Sequence, residues 1–260
     1  MNCLDIVSYE VIIMRKKKTW IGVLGFLGML VLILDSKTAI NSMQNGIKMC
    51  IQTIVPSLFP FILLSPLLTK VLWGSSSKVF KKIGNLCKLQ EGSESLLIIA
   101  FLGGYPVGAQ LITQLYHEGK LSTASARRML GFCNNAGPAF IFGMLSTLFN
   151  RAIIPWTLWL VHIVSAIIVG ILLPKCDNQS KSVINTSVLI SPTEIVPNAI
   201  RTMATVCGWV LVFRVILGFC QRWFLWLLPT EMQVLFYGIT ELANGCVALA
   251  SISNEALRFI

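Results

Sequence analysis

The chain has 260 residues, of which 55% are hydrophobic and only 12% charged, and its mean hydropathy is +0.75. A typical soluble domain carries about 25% charged residues, so a soluble globule is excluded. The formal charge of +10 comes from 21 Lys and Arg against 11 Asp and Glu, and these cations sit between apolar runs, which points to membrane topology and away from nucleic acid.

The stretch "MRKKKTW" begins at Met14 and leads directly into "WIGVLGFLGMLVLIL". Basic residues before an apolar run are the usual start of a membrane protein, so residues 1–13 are read as an upstream start-site artefact and 1–19 as a cytoplasmic N-terminus. A signal peptide would look similar, but no A-x-A cleavage site follows, and a retained anchor is the reading. Membrane segments are expected near 20–34, 49–69, 95–116, 134–149, 153–173, 199–220 and 234–252, since a span takes about 20 apolar residues. Residues 174–198, with "KCDNQSKSVINTS", form a polar linker between a first membrane half, 20–173, and a second, 199–260.

Charge bias chooses between topologies. If residues 95–116 dip in and return, the cations at 15–18, 70–88, 120–128 and 175–181 share the inner face. Only Lys37, Lys48, Arg151 and Arg222 then fall outside. A full crossing by 95–116 would weaken that bias, so the rule favours a re-entrant segment, with a kinked span as the alternative. An internal echo also exists at a shift of 153 positions. Ile47 meets Ile200, Lys48 meets Arg201, Leu58 meets Leu211, Leu64 meets Leu217, and Leu72–Trp73 meet Leu225–Trp226. The two stretches would run in opposite directions, an inverted pair of the kind many transporters use.

Two stretches break the helical grammar. In "FLGGYPVGAQ", Gly103 and Gly104 loosen the chain and Pro106 suits the start of a new helix. In "FCNNAGPAFIFG", Asn134, Asn135 and Gly137 precede Pro138 and an apolar helix. Each helix start exposes unpaired N–H groups and a positive dipole end, which need partners at membrane depth. Facing one another, they would make an anion-tolerant pocket, with the amides of Asn134, Asn135 and Gln110 adding donors and acceptors. The plainer alternative is a tight helix crossing at small residues.

Other patterns give less. Gly103-Gly104-x-x-x-Gly108 is not a dinucleotide fingerprint, and no phosphate loop follows. The eight cysteines show no C-x-x-C spacing and read as buried thiols rather than metal or disulfide sites. His117 and His162 have no ligand-spaced partner, and no Ser/His/Asp set stands out. No metal, cofactor or enzymatic activity is therefore expected. Arg214 and Glu241 lie within apolar runs, where ionisable residues are costly and usually face an interior or a partner. They could pair, unless one is interfacial. Glu241 and Asn244 are three apart, on one helix face.

The motifs "GGYPVGA", "LSTASARRMLGFCNNAGPAFIFG" and "ELANGC" together resemble the nucleoside-recognition, or Gate-domain, membrane proteins over roughly residues 45–250. The resemblance implies a polytopic inner-membrane protein of spore-forming bacteria, needed for proper spore formation, with a transporter-related fold. It places the family's motifs on Gly104 to Ala109, Asn134 to Pro138 and Glu241 to Gly245. Arg214 departs from the small or polar residue expected there. The family also continues into a second glycine-pair hairpin, so a fragment or short form is expected.

The expectation is thus an all-α polytopic protein of the bacterial cell membrane, with broken or re-entrant helices and an incomplete inverted repeat. It would be transporter-like, moving or sensing a small polar, nucleoside-like solute. Its site would comprise Gly103, Gly104, Tyr105, Pro106, Gly108, Gln110, Asn134, Asn135, Gly137, Pro138, Glu241 and Asn244. The alternative is a structural membrane protein of sporulation in which the same motifs only pack helices.

Overall fold

A computed structural model describes residues 3–72, 78–89, 93–174, 192–254 and 258. Regular structure among them is entirely helical. Helix α1 (Cys3–Leu34) ends at Asp35, whose Oδ1 accepts from the Thr38 N–H at 3.3 Å and so caps α2 (Ser36–Met49). A single π-helical turn, Cys50–Ile54, follows, with the Val55 N–H reaching back to the Cys50 carbonyl. The chain then continues as α3 (Val55–Leu72). Ser57 Oγ donates back to the Thr53 and Ile54 carbonyls at 2.7 and 3.2 Å, serving carbonyls that the irregular turn loosens.

Helix α4 (Lys78–Leu86) precedes a broken pair, α5 (Ser95–Gly103) and α6 (Val107–His117). Gly104 ends α5 with φ +66°, ψ −169°, a conformation open essentially to glycine. The two helices then fold back on each other. A Cβ at Gly108 would lie 3.3 Å from the Ala100 Cβ, across the tip. The early residues of α5 and the late residues of α6 share one core, Leu96 and Ile99 with Ile112 and Leu115. Residues 95–117 are therefore a re-entrant hairpin rather than a kinked span.

Helix α7 (Thr123–Leu130), capped by Ser122, leads through an extended stretch to α8 (Pro138–Gly143) and a 3-10 turn, Leu145–Leu148. The expected span 134–149 is therefore a loop and a short helix. Its backbone stays extended because the Asn135 carbonyl accepts from the Tyr105 N–H, and Pro138 disfavours a helical residue before it. Helix α9 (Ile153–Leu172) follows, then α10 (Pro192–Trp223). Of the expected linker, 175–191 lies outside the described residues, and 192–198 is helical. A 3-10 turn, Leu225–Leu227, precedes α11 (Thr230–Thr240) and α12 (Leu242–Leu249). The expected span 234–252 is thus also a hairpin, broken at Glu241, where φ −157° and ψ 125° interrupt the helix.

Three helical stretches are long and apolar enough to cross a bilayer: Ser36–Leu68, Ile153–Leu172 and Thr193–Trp223, with Thr19–Leu34 and Pro138–Leu148 shorter apolar helices. Helix α10 lies antiparallel to α2 and α3. Asp35 pairs with Arg222 at 2.8 Å, Ser42 meets Gly218, Gly46 meets Leu211, and Cys50 Sγ meets the Cys207 carbonyl at 4.0 Å. As one number rises the other falls, so the two stretches run in opposite directions.

Arg128 fastens the other end of the molecule. It is only 6% exposed, and among the described residues every hydrogen bond its side chain makes is to a carbonyl. Nε and Nη2 donate to Cys87 at 3.1 and 2.9 Å, Nη1 to Leu173 at 2.8 Å and to Pro174, and Nη2 to Gly170. One guanidinium thus holds the chain just after α4 to the negative end of α9. The ends of α4, α7 and α9 consequently lie together.

Candidate functional site

The two broken motifs meet backbone to backbone. A Cβ on Gly104 would fall 2.4 Å from the Gly137 nitrogen, and one on Gly137 would fall 2.7 Å from the Gly104 Cα. Neither position has room for a side chain. Gly108 packs as closely, since its Cβ would sit 2.3 Å from the Cys133 carbonyl oxygen. Gly103 is crowded by Val107 and by Ser65 Oγ. The strand-like segment after α7 thereby lies antiparallel to the turn 104–108, tied by the Tyr105 N–H to Asn135 bond of 2.8 Å.

Helix-start donors at this junction are largely used internally. The Gly108 N–H goes to the Gly104 carbonyl, and the Phe140 and Ile141 N–H groups both go to Gly137. Pro106 is the residue before α6, and Pro138 occupies the first turn of α8. The asparagine amides do not converge here. Asn134 is exposed, and Asn135 Nδ2 donates to the Phe132 carbonyl at 2.7 Å. Gln110 turns the other way, donating from Nε2 to Thr202 Oγ1 on α10 at 3.0 Å.

Glu241 and Asn244 form a separate, tighter cluster. Glu241 is the N-cap of α12, and its Oε1 accepts from the Ala243 N–H at 2.9 Å. Its Oε2 accepts from the Asn244 N–H and from Asn244 Nδ2, both at 2.7 Å. Asn244 is 0% exposed, and its Oδ1 accepts from Arg214 Nη1 at 3.4 Å. The expected direct pairing of Arg214 with Glu241 is therefore replaced by a shared amide. Helix α12 alone satisfies the carboxylate, through its first N–H groups and the Asn244 side chain.

Tyr105 from the first cluster and Glu241 from the second meet at one small cavity of about 30 Å³. Tyr105 from the hairpin tip, Ser57 from α3 and Glu241 from the start of α12 are its polar lining, with Phe140 and Met144, Val206 and Val210 among its apolar walls. The Tyr105 ring packs on Phe140, with centroids 5.6 Å apart. A second cavity of about 70 Å³ lies between α3 and α6, lined by Ser65, Gln110 and Gln114 among apolar residues. The π-turn, the re-entrant tip, the start of α8 and the start of α12 all border the first cavity or lie next to it. Ser57, Ser65 and Thr202 carry no signal in the sequence. Lone hydroxyls in apolar helices carry no pattern, and only the π-turn and the fold place them here. Among the described residues no three His, Cys, Asp or Glu side chains gather to hold a metal ion.

Together, the helices and their breaks define a multi-pass, all-helical membrane protein with its irregular backbone gathered inside. By sequence the chain is similar to the sporulation integral membrane protein YlbJ of Bacillus subtilis (strain 168), at 26% identity over 144 residues, 52% of this chain and 34% of that protein. The match therefore spans about a third of the relative's length. No family model matches the sequence, and no solved structure does.

Proposed function

We propose that this chain is a transporter-like, Gate-domain type membrane protein of the sporulating bacterial cell, with its N-terminus cytoplasmic and no enzymatic activity. It would move or sense a small polar, nucleoside-like solute. The observation that carries this reading is the cavity shared by Tyr105, Ser57 and Glu241. Three broken or irregular helices from both halves supply its polar groups, and irregular backbone at membrane depth is tolerated where it lines a cavity or is buried in protein. The similarity to a sporulation integral membrane protein supports the cellular setting. At about 30 Å³ the cavity has room for one or two waters, so the described conformation is a closed one. Solute entry then requires the hairpin tip to part from α12.

A second reading is favoured by the Gly104–Gly137 contact, which leaves no room for a Cβ on either residue. On that reading the motifs serve assembly alone, in a structural membrane protein of sporulation. Uptake into proteoliposomes separates the two. With a panel of labelled nucleosides and other small polar solutes, the transport reading expects uptake above protein-free vesicles for some of them, and its loss in Glu241→Gln. No uptake of any solute, with folded protein in the vesicles, would leave the assembly reading.

A further inference from the structure

Arg214 is a cation with too few partners for where it stands. It lies nine residues before the end of α10 at Trp223, or about 13 Å at 1.5 Å per residue, within the apolar stretch Thr193–Trp223 that is long enough to cross a bilayer. Its stem is held against α2, because a Cβ on Gly46 would fall 3.3 Å from the Arg214 Cγ. Its head reaches Asn244 on α12. The side chain thus lies in the junction of α2, α10 and α12, not along the lipid face toward the α10 terminus. Among the described residues its single hydrogen bond is the 3.4 Å donation to Asn244, and no carboxylate lies within ion-pair distance.

A guanidinium presents five N–H donors in a planar fork and stays charged at any relevant pH. Half-buried between helices and left with one long bond, it has room for a counter-charge. Glu241 does not supply one, since its oxygens accept from Ala243 and Asn244, and the Asn244 amide stands between the two charges. Arg222 offers the contrast on the same helix. It is largely exposed, and it is paired with Asp35 at 2.8 Å.

We propose that Arg214 is the receptor for an oxyanion, a phosphate or carboxylate group, entering the α2–α10–α12 junction. The remaining edge of the fork would hold two anion oxygens side by side, with Asn244 fixing its orientation. This site adjoins the Tyr105–Glu241 cavity through Asn244, and it holds whether or not that cavity transports a solute.

The test uses the full chain in phosphatidylcholine nanodiscs, treated with an arginine-specific dicarbonyl and read by peptide mass spectrometry. Modification of Arg214 that inorganic phosphate slows at least tenfold, with Arg222 unaffected, supports a soluble oxyanion. Slowing only when phosphatidylglycerol is added supports a lipid headgroup at the same receptor. Arg214 modified at one rate under all conditions, or untouched while Arg222 reacts, overturns the proposal. In parallel, Arg214→Gln should lose whichever protective anion binding the wild type shows, while Arg222→Gln keeps it. Equal binding by both variants overturns the proposal as well, and the wild-type labelling decides should Arg214→Gln fail to fold.

Discussion

Arg128 shows how one side chain can carry two meanings. In the sequence it is one of the cations whose clustering sets topology. In the fold it is buried and saturated by carbonyls of Cys87, Gly170, Leu173 and Pro174. Among the described residues no carboxylate pairs with it, and the helix-end dipoles stabilise its charge. Arg128→Lys should destabilise the protein by about 2–4 kcal/mol, because a point ammonium cannot serve carbonyls on two sides. A thermal-unfolding midpoint in detergent equal to wild type would show that the fork is dispensable. Gly104 carries a different constraint. Gly104→Ala places a Cβ into the Gly137 backbone at a positive φ, and should cost about 3 kcal/mol or more. Gly119→Ala also sits at positive φ but faces open space, and should cost only about 1 kcal/mol. Comparing the two midpoints separates backbone strain from steric exclusion.

Among the elements, the breaks were legible and their consequences only partly. Gly103–Gly104 and Gly137–Pro138 announce helix ends in any sequence, and both occur where expected. The π-turn at Cys50–Ile54 was invisible, because a single inserted residue in an apolar helix changes no periodicity that a sequence displays. Hydropathy alone marks 134–149 and 234–252 as spans, yet each breaks where a polar group is needed locally. In the first the Asn135 carbonyl serves Tyr105, and in the second the Glu241 carboxylate serves α12. Glu241→Gln should weaken this cap by about 1 kcal/mol, and hydrogen exchange at Ala243 and Asn244 should quicken while α9 is unchanged. Unaltered protection at those two amides would mean the cap is not what holds α12.

For the whole molecule, the antiparallel course of α10 against α2 and α3 is the relation that joins the halves. The Asp35–Arg222, Ser42–Gly218 and Cys50–Cys207 neighbours trace that opposite direction residue by residue, a packing relation distinct from the 153-position echo in the sequence. What the sequence does not convey is where the polar side chains end up, since Asn134 lies exposed, away from the cavity, while Ser57 lines it. Cys50 and Cys207 should be captured by a short bifunctional thiol reagent, and mass spectrometry should recover their peptides joined. Recovery of Cys207 joined to Cys87 instead would contradict the packing of the halves.

The central claim is that the broken helices converge on a site that opens to water rather than on a sealed crossing. It is tested most directly by a single cysteine at the cavity wall, Ser57→Cys, in a background without other cysteines. The protein in membrane vesicles is treated with a small water-soluble thiol reagent, with a cysteine at Gly119 as the exposed control and one at Ala100 as the buried control. Reaction at 57 and 119 but not at 100, slowed by a polar solute, is the predicted result. A silent position 57 beside a reactive 119 would contradict the account and leave Gly104 and Gly137 as a packing device alone.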